Sequence, residues 1–149
     1  MAEPSDRRGF RSTFYSFANR SCEVVLWERY FVEYDAEAWD HEGGGTLEFR
    51  DECGRRYSLS ISHPVKGGFF VLHGCEALKE KRFEWSKVLT VNPDDLKTFI
   101  EIDDAFFPRG CLAPPLVAWE AVNQFLLNPT LPSLLGAWTD EDLINWPEL

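Results

Sequence analysis

The clearest hydrophobic pattern in the chain is a strict alternation of apolar and polar residues through its middle third. In "TLEFRD" (46–51) and "RRYSLSIS" (55–62) every second residue is apolar, and charged residues or serines lie between. "FFVLH" (69–73) follows the glycine turn at 67–68, and "KRFEWSKVLTV" (81–91) alternates again. A period of two is typical of strands with one buried face. The pattern therefore predicts an antiparallel meander whose serine-rich face is polar.

A helical pattern follows the proline pair Pro114-Pro115 and ends near Asn128-Pro129. Proline is tolerated in the first helical turn, because the amide groups there have no intrahelical partner. The apolar residues of this segment fall on one side of a helical wheel: Ala118, Trp119, Ala121, Val122, Phe125 and Leu126. This spacing predicts an amphipathic helix that covers the sheet.

The first third of the chain gives mixed signals. "CEVVLWERYFVEYD" (22–35) is rich in β-branched and aromatic residues, so we predict a strand, although several aromatic residues also recur at helical spacing. "AEAWDHEGGG" (36–45) is predicted to be a loop that ends in a flexible glycine turn. Residues 1–11 are expected to be flexible. At the other end, "TDEDLINW" (139–146) fits a short helix or a last strand equally well.

Composition supports one folded unit. The chain has 149 residues, of which 44% are hydrophobic, which is enough to bury a core without disulfide or metal staples. We therefore predict a single α+β domain spanning 1–149. Its predicted architecture is an antiparallel meander sheet of four to six strands, covered on one face by the late amphipathic helix.

Charge narrows the possible partners. Fifteen Lys and Arg against 25 Asp and Glu give a net charge of −10, which repels phosphate backbones and attracts basic surfaces. Direct nucleic-acid binding is thereby disfavoured, because it depends on Lys and Arg that neutralise phosphates. The sequence contains neither a secretory signal pattern nor an apolar run of the roughly 20 residues that a membrane helix needs. We expect a cytoplasmic protein that does not bind membranes.

Candidate catalytic and metal chemistry is sparse. His63, His73 and Cys75 could form a metal trio or a Cys–His pair, but their spacing matches no compact zinc motif. Glu76 lies beside Cys75 and disfavours the thiolate that catalysis would need. The four cysteines are irregularly spaced and are expected to be free thiols. We therefore predict no catalytic residue, no cofactor and no metal.

Three acidic clusters lie beside aromatic residues, and they are the best candidates for a binding surface. Aromatic residues anchor protein interfaces, and carboxylates around them select a basic partner. The alternative is that these clusters are merely solvated loops. The predicted partner-binding residues are Asp35, Glu37, Trp39, Asp40, Glu42, Asp103, Asp104, Asp140, Glu141, Asp142 and Trp146.

Two blocks of the sequence, 44–74 and 107–138, resemble a known family. Their shared features are a central strand, a Gly-Gly-aromatic turn, a proline-led helix, and a proline and tryptophan beyond it. The matching residues are Leu59, Ile61, Gly67, Gly68, Phe69, Pro115, Ala118, Ala121, Phe125, Pro132 and Trp138. This pattern resembles the first-described immunity-protein family of bacterial polymorphic toxin systems. After the helix, "NPTL" replaces the glycine and basic residue often found there.

The resemblance implies a function that needs no catalysis by this chain. Such proteins are made beside their own toxin, form a heterodimer with its toxin domain and block the active site. Toxins paired with them include nucleic-acid deaminases and nucleases, whose substrate clefts are basic. Two alternatives stay open: a different interaction module, such as an adaptor or secretion-associated chaperone, and a small enzyme.

Overall fold

The computed structural model describes residues 9–17, 21–77, 82–130 and 137–147. Its main element is a six-stranded antiparallel sheet in which the strands lie in the order β1-β2-β3-β4-β5-β8. Its strands are β1 (Phe10–Ser12), β2 (Gly45–Arg50), β3 (Arg55–Val65), β4 (Gly68–Ala77), β5 (Arg82–Thr90) and β8 (Ala137–Asp140). The predicted meander is confirmed, since β2 to β5 pair in sequence order with antiparallel register.

Three helices cover one face of the sheet: α1 (Val24–Val32), α2 (Ala36–Glu42) and α3 (Pro115–Leu127). The predicted late helix is α3, which begins at Pro115 and is followed by Asn128 as its C-cap. Its buried residues are Ala118, Ala121, Val122, Phe125 and Leu126. The α+β class and the helix-covered antiparallel sheet are therefore confirmed. Within the described residues, no helix has both the length and the apolar character needed to cross a membrane.

The segment 22–35 is not a strand, as its β-rich composition predicted, but contains α1. Trp27 and Phe31 lie one helical turn apart and are buried, whereas Val25 and Val32 are exposed. The helical spacing of the aromatic residues outweighs the β-propensity of the valines, because two large rings reach the core only in a helix.

The segment 36–45 was also wrongly predicted, since most of it forms α2 rather than a loop. The Asp35 side chain caps this helix by accepting a hydrogen bond from the Glu37 amide at 3.0 Å. Gly43 ends it in the left-handed conformation, with φ of 82°, which glycine adopts without strain. Between the two caps, the Trp39 indole packs into the core and donates to the Tyr30 carbonyl at 3.0 Å.

The two ends of the chain refine the predictions. Phe10 and Arg11, which belong to the segment expected to be flexible, pair with Phe49 and Glu48 in the sheet. Residues 1–8 and Pro132 lie outside the described residues. The open choice between strand and helix near the C-terminus resolves into both, since β8 runs directly into a 3-10 turn at Glu141–Leu143.

A second, smaller core lies on the opposite face of the sheet. Phe70 and Leu72 of β4 point away from the helices and pack in this core with the buried Val88 and Ile144. Part of this second core is covered by a hairpin of two strands, β6 (Phe99–Ile102) and β7 (Ala105–Pro108). The sequence pattern did not predict this hairpin. The fold thus brings this hairpin and α2 to the same end of β3.

Candidate functional site

An open cleft of about 430 Å³ lies where α2, the end of β3 and the β6–β7 hairpin meet. Its walls come from segments far apart in the sequence, and its lining is mixed, with both carboxylate and apolar side chains. The lining residues are Trp39, Asp40, Gly43, Ser62, His63, Pro64, Ile102, Asp103, Ala105 and Phe107. The cleft therefore combines one predicted carboxylate from α2, Asp40, with one from the hairpin, Asp103.

The cleft exists because β3 is longer than β2. The β2–β3 pairing stops at Gly45 and Ile61, so residues 62–65 continue past the start of β2. Gly44 lies so close to this point that a Cβ atom there would be 2.7 Å from the Ile61 carbonyl oxygen. Pro64 has no amide hydrogen, which prevents a regular strand from extending the sheet along this edge. The end of β3 is thus left as a wall of the cleft.

A chain of hydrogen bonds fixes the acidic rim on the α2 side. Asp40 Oδ1 lies 3.0 Å from His63 Nδ1, and His63 Nε2 contacts the Tyr34 hydroxyl. The Gly67 amide donates to that same hydroxyl at 2.7 Å. With neutral His63, Nδ1–H donates to Asp40, and the Tyr34 hydroxyl donates to Nε2. The His63 side chain is 1% exposed and that of Asp40 is 69% exposed, so a buried group holds a surface carboxylate.

The opposite wall is the β6–β7 hairpin. Its turn is Asp103-Asp104, and both residues have positive φ, 51° and 66°, as two-residue hairpin turns of the mirror-image class require. Both side chains are exposed, and Asp103 lines the cleft. The Phe107 ring packs against Phe70 with centroids 5.2 Å apart, which attaches the hairpin to the second, smaller core. The hairpin that carries the Asp103 carboxylate is thus held in place by the packing of Phe107.

The electrostatic character of the cleft is negative. Asp40 and Asp103 lie on different walls, and the lining residues that the structure describes include no Lys or Arg. Ile102 and Phe107 are half-buried and provide apolar surface between the carboxylates. A concave surface with charge of one sign concentrates its field and attracts ligands of the opposite sign.

Known proteins give no further guide to this site. Neither a family model, nor a curated protein, nor a solved structure matches the chain. The family resemblance noted from its motifs therefore stays a prediction. Those motif residues form scaffold rather than site, since Leu59, Ile61 and Phe69 are core residues and Ala118 and Phe125 are buried on α3.

Trp39 does not have the role that the sequence predicted. It was expected to anchor a partner from an exposed acidic loop, but its side chain is 1% exposed and belongs to the main core. Its ring packs edge-on against Phe17 and Phe69, with centroids 4.7 and 4.8 Å away. The prediction of an exposed anchor is wrong, because capping turns this segment into a helix whose apolar side faces inward.

Glu42 also has a structural position. Its carboxylate accepts hydrogen bonds from the amides of Tyr15, Ser16 and Phe17 at 2.7, 2.9 and 2.9 Å. Burial raises the pKa of Glu42, but the bonds from Ser16, Phe17 and Tyr15 outweigh this effect and the net pKa lies below its ordinary value. Glu42 therefore joins α2 to the segment after β1 and is not offered to a partner.

The other predicted residues lie outside the cleft. Asp35 is exposed just before the first turn of α2, and Glu37 is exposed within that turn. Asp104 is exposed at the tip of the hairpin. Asp140 forms an ion pair with Lys87 at 2.8 Å. The other predicted residues near the C-terminus are Glu141, Asp142 and Trp146. Glu141 and Asp142 lie in the 3-10 turn. The Trp146 ring packs in the second, smaller core, with its centroid 6.0 Å from that of Phe99.

The residues considered for metal binding or catalysis do not converge. His73 is paired with Leu59, four residues along β3 from His63. His73 and Cys75 are each 1% exposed, and His73 Nε2 donates to the Pro129 carbonyl at 3.0 Å. Within the ranges that the structure describes, no three His, Cys, Asp or Glu side chains are arranged to hold a metal ion. These residues thus line the core.

Proposed function

We propose that the protein is an immunity protein that binds a secreted toxin domain in the cytoplasm of the producing cell. The cleft between α2 and the β6–β7 hairpin is the centre of the binding surface in this proposal. The observation that carries it is the convergence of Asp40 and Asp103 on different walls of one open cleft, to whose lining the described part of the chain contributes no Lys or Arg. Two acidic segments distant in sequence meet there.

The cleft suits a basic side chain from the partner. An inserted Arg or Lys would lay its aliphatic stem along Ile102 and Phe107 and place its charge between Asp40 and Asp103. Charge-assisted hydrogen bonds to carboxylates are stronger than neutral ones, and they strengthen further as water is excluded. Basic residues line the active sites of enzymes that act on nucleic acid, so the same contact would cover such a site.

The buried relay supports a binding role for Asp40. His63 and Tyr34 hold the carboxylate in place before any partner arrives, so less side-chain freedom is lost on binding. The net charge of −10 adds long-range attraction to a basic domain and speeds the encounter. Inhibition by occlusion requires no catalytic group in this chain.

The decisive experiment is co-expression with the toxin domain encoded beside this chain. We expect a stable complex and rescue of growth. A double substitution, Asp40→Asn with Asp103→Asn, should weaken the complex by at least about tenfold, since it removes two charge-assisted contacts. The matched control is Glu37→Gln with Asp142→Asn, which changes the net charge equally at exposed positions outside the cleft.

The results separate the possible roles. Failure to form a complex or to rescue growth would contradict the immunity function. If both double variants weaken the complex equally, the cleft is not the binding centre. Capture of a basic partner unrelated to any toxin would instead make the protein an adaptor or a secretion-associated chaperone.

A further inference from the structure

A second concavity, of about 260 Å³, lies on the face of the sheet opposite α1, α2 and α3, at the other end of β3 from the cleft. It is lined by Gly9, Arg11, Glu48, Arg50 and Arg56. Glu48 and Arg50 alternate along β2 with the core-facing Leu47 and Phe49, so they point away from the helices. The lining carries three cations and one anion, a net charge of +2 in a chain of net charge −10.

Sheet register brings the three arginines together. Arg11 of β1 is directly opposite Glu48, and Arg50 of β2 is directly opposite Arg56 of β3. Like charges in directly opposite positions destabilise a sheet. Arg56 is balanced by Glu48 at 3.8 Å and by a closer contact with Glu76. Among the described residues, neither Arg11 nor Arg50 forms an ion pair, so Glu48, which lies opposite Arg11 and is paired with Arg56, offsets their charges only in part.

The backbone at Gly9 shapes one wall of this concavity. Gly9 has φ of 84°, and a Cβ atom there would lie 2.8 Å from the Phe49 ring and 3.0 Å from the Arg50 carbonyl oxygen. Its own carbonyl accepts a hydrogen bond from the Arg50 amide at 2.9 Å. The chain therefore enters β1 tightly against β2, and Arg11 lies diagonally across from Arg50, which is two residues along β2 from its partner Glu48.

We propose that this concavity binds an oxyanion, namely the phosphate or carboxylate group of a small molecule, through the guanidinium groups of Arg11 and Arg50. The planar fork of arginine donates two parallel hydrogen bonds to such a group. Arg56, oriented by Glu48 and Glu76, completes the positive wall. A small anion fits better than a nucleic acid, because the acidic remainder of the surface repels a polyanion. The site is independent of the proposed toxin binding.

The test uses the full chain labelled with ¹⁵N and titrated with inorganic phosphate at constant ionic strength, with chloride as the balancing salt. Saturable shifts are expected at the Gly9 amide and at the side-chain Nε–H groups of Arg11 and Arg50. Arg11→Gln and Arg50→Gln should each weaken binding by about tenfold or more, as loss of a charge-assisted contact implies. Arg29→Gln on α1 is the matched control and should bind phosphate as the wild type does.

A parallel titration with acetate separates the two sources of the anion. Saturable binding of either anion, lost in the Arg11 and Arg50 variants, supports the site and identifies the preferred group. Shifts that do not saturate, or equal losses in the Arg29 variant, would overturn it. Thermal melting provides a second readout: without phosphate, Arg50→Gln should be at least as stable as the wild type, since it removes the repulsion with Arg56. A clear loss of stability would count against the proposal.

Discussion

His73 is the residue whose surroundings give the strongest pH dependence. Its imidazole packs against three aromatic rings. The imidazole centroid lies 4.9 Å from that of Trp85, 5.4 Å from that of Phe125 and 5.9 Å from that of Trp138. Burial lowers the pKa of His73 from 6.5 to about 4, although the hydrogen bond to Pro129 acts in the opposite direction. The folded protein therefore holds this histidine neutral, with Nε2–H directed at the Pro129 carbonyl.

This lowered pKa predicts a loss of stability in acid. The unfolded chain takes up a proton near pH 6.5 and the folded chain only near pH 4, so the His73 contribution is intact above pH 6.5 and falls as the pH decreases towards 4. Between pH 7.5 and 4.5 the loss should be roughly 2 to 3 kcal/mol. Urea unfolding across this range measures it. His73→Gln cannot titrate, so its free energy of unfolding should fall less; equal slopes for both proteins would contradict the assignment.

Individual residues show where sequence patterns succeed and fail. Alternation along β3 places His63 on the same face as Leu59 and Ile61, so its burial could be predicted from the strand alone. The hydrogen-bond partners of His63 could not be predicted, because Asp40 and Tyr34 lie in segments whose helices the sequence pattern did not reveal. Trp39 was misplaced for the same reason: an aromatic residue among carboxylates resembles a surface anchor until the helix phase is known.

At the scale of elements, Gly110 controls the position of the β6–β7 hairpin. Its carbonyl accepts hydrogen bonds from the Val91 and Asn92 amides at 2.8 and 3.0 Å, which join the end of β5 to the turn after β7. A Cβ atom at Gly110 would be 2.1 Å from the Asn92 carbonyl oxygen. Since backbone meets backbone here, neither side can move aside cheaply.

Gly110→Ala should therefore be strongly destabilising. We expect a cost of roughly 3 kcal/mol or more, because a methyl group would overlap the Asn92 carbonyl oxygen and push apart the backbone segments that the Gly110 carbonyl joins. The comparison is Gly54→Ala, where φ is 83° and no atom lies within 4 Å of the new Cβ. That change costs only the backbone strain of about 1 to 2 kcal/mol. Both values come from urea unfolding, and equal costs would show that the close approach at Gly110 relaxes easily.

Elements differ in how clearly the sequence predicts them. The strands β2 to β5 and helix α3 were predicted because their periods are clean and their boundaries are marked by glycine or proline. The two early helices were missed, although Asp35 and Gly43 were available as cap signals for α2. The β6–β7 hairpin was missed because Asp103-Asp104 is a less distinctive turn than the Asn-Gly pairs that usually mark such hairpins. Both carboxylates of the acidic cleft lie on missed elements, Asp40 on α2 and Asp103 on the hairpin, whereas the predicted strand β3 forms only the wall between them.

For the whole molecule, the net charge and its distribution over the surface are separate properties. The net charge of −10 could be read from the sequence, but its local distribution could not. The fold places an acidic cleft near His63 and an arginine-lined concavity near Arg56, seven residues earlier on the same strand. At about 3.3 Å per residue, the two sites lie roughly 20 Å apart along β3. A basic partner approaching this surface is therefore attracted at one end of the strand and repelled at the other.

This polarity predicts a steep salt dependence for the association rate of the proposed complex with a basic toxin domain. Raising the salt from about 0.05 M to about 0.5 M should lower the association rate with a basic toxin domain by at least tenfold, with little change in dissociation. Stopped-flow association with Asp40→Asn, Asp103→Asn should show a shallower dependence on salt, because the field at the docking end is reduced. The Glu37→Gln, Asp142→Asn protein has the same net charge but retains the cleft, so its rates should stay near those of the wild type. Identical salt profiles for the two variants would mean that overall charge, and not the acidic cleft, directs the encounter.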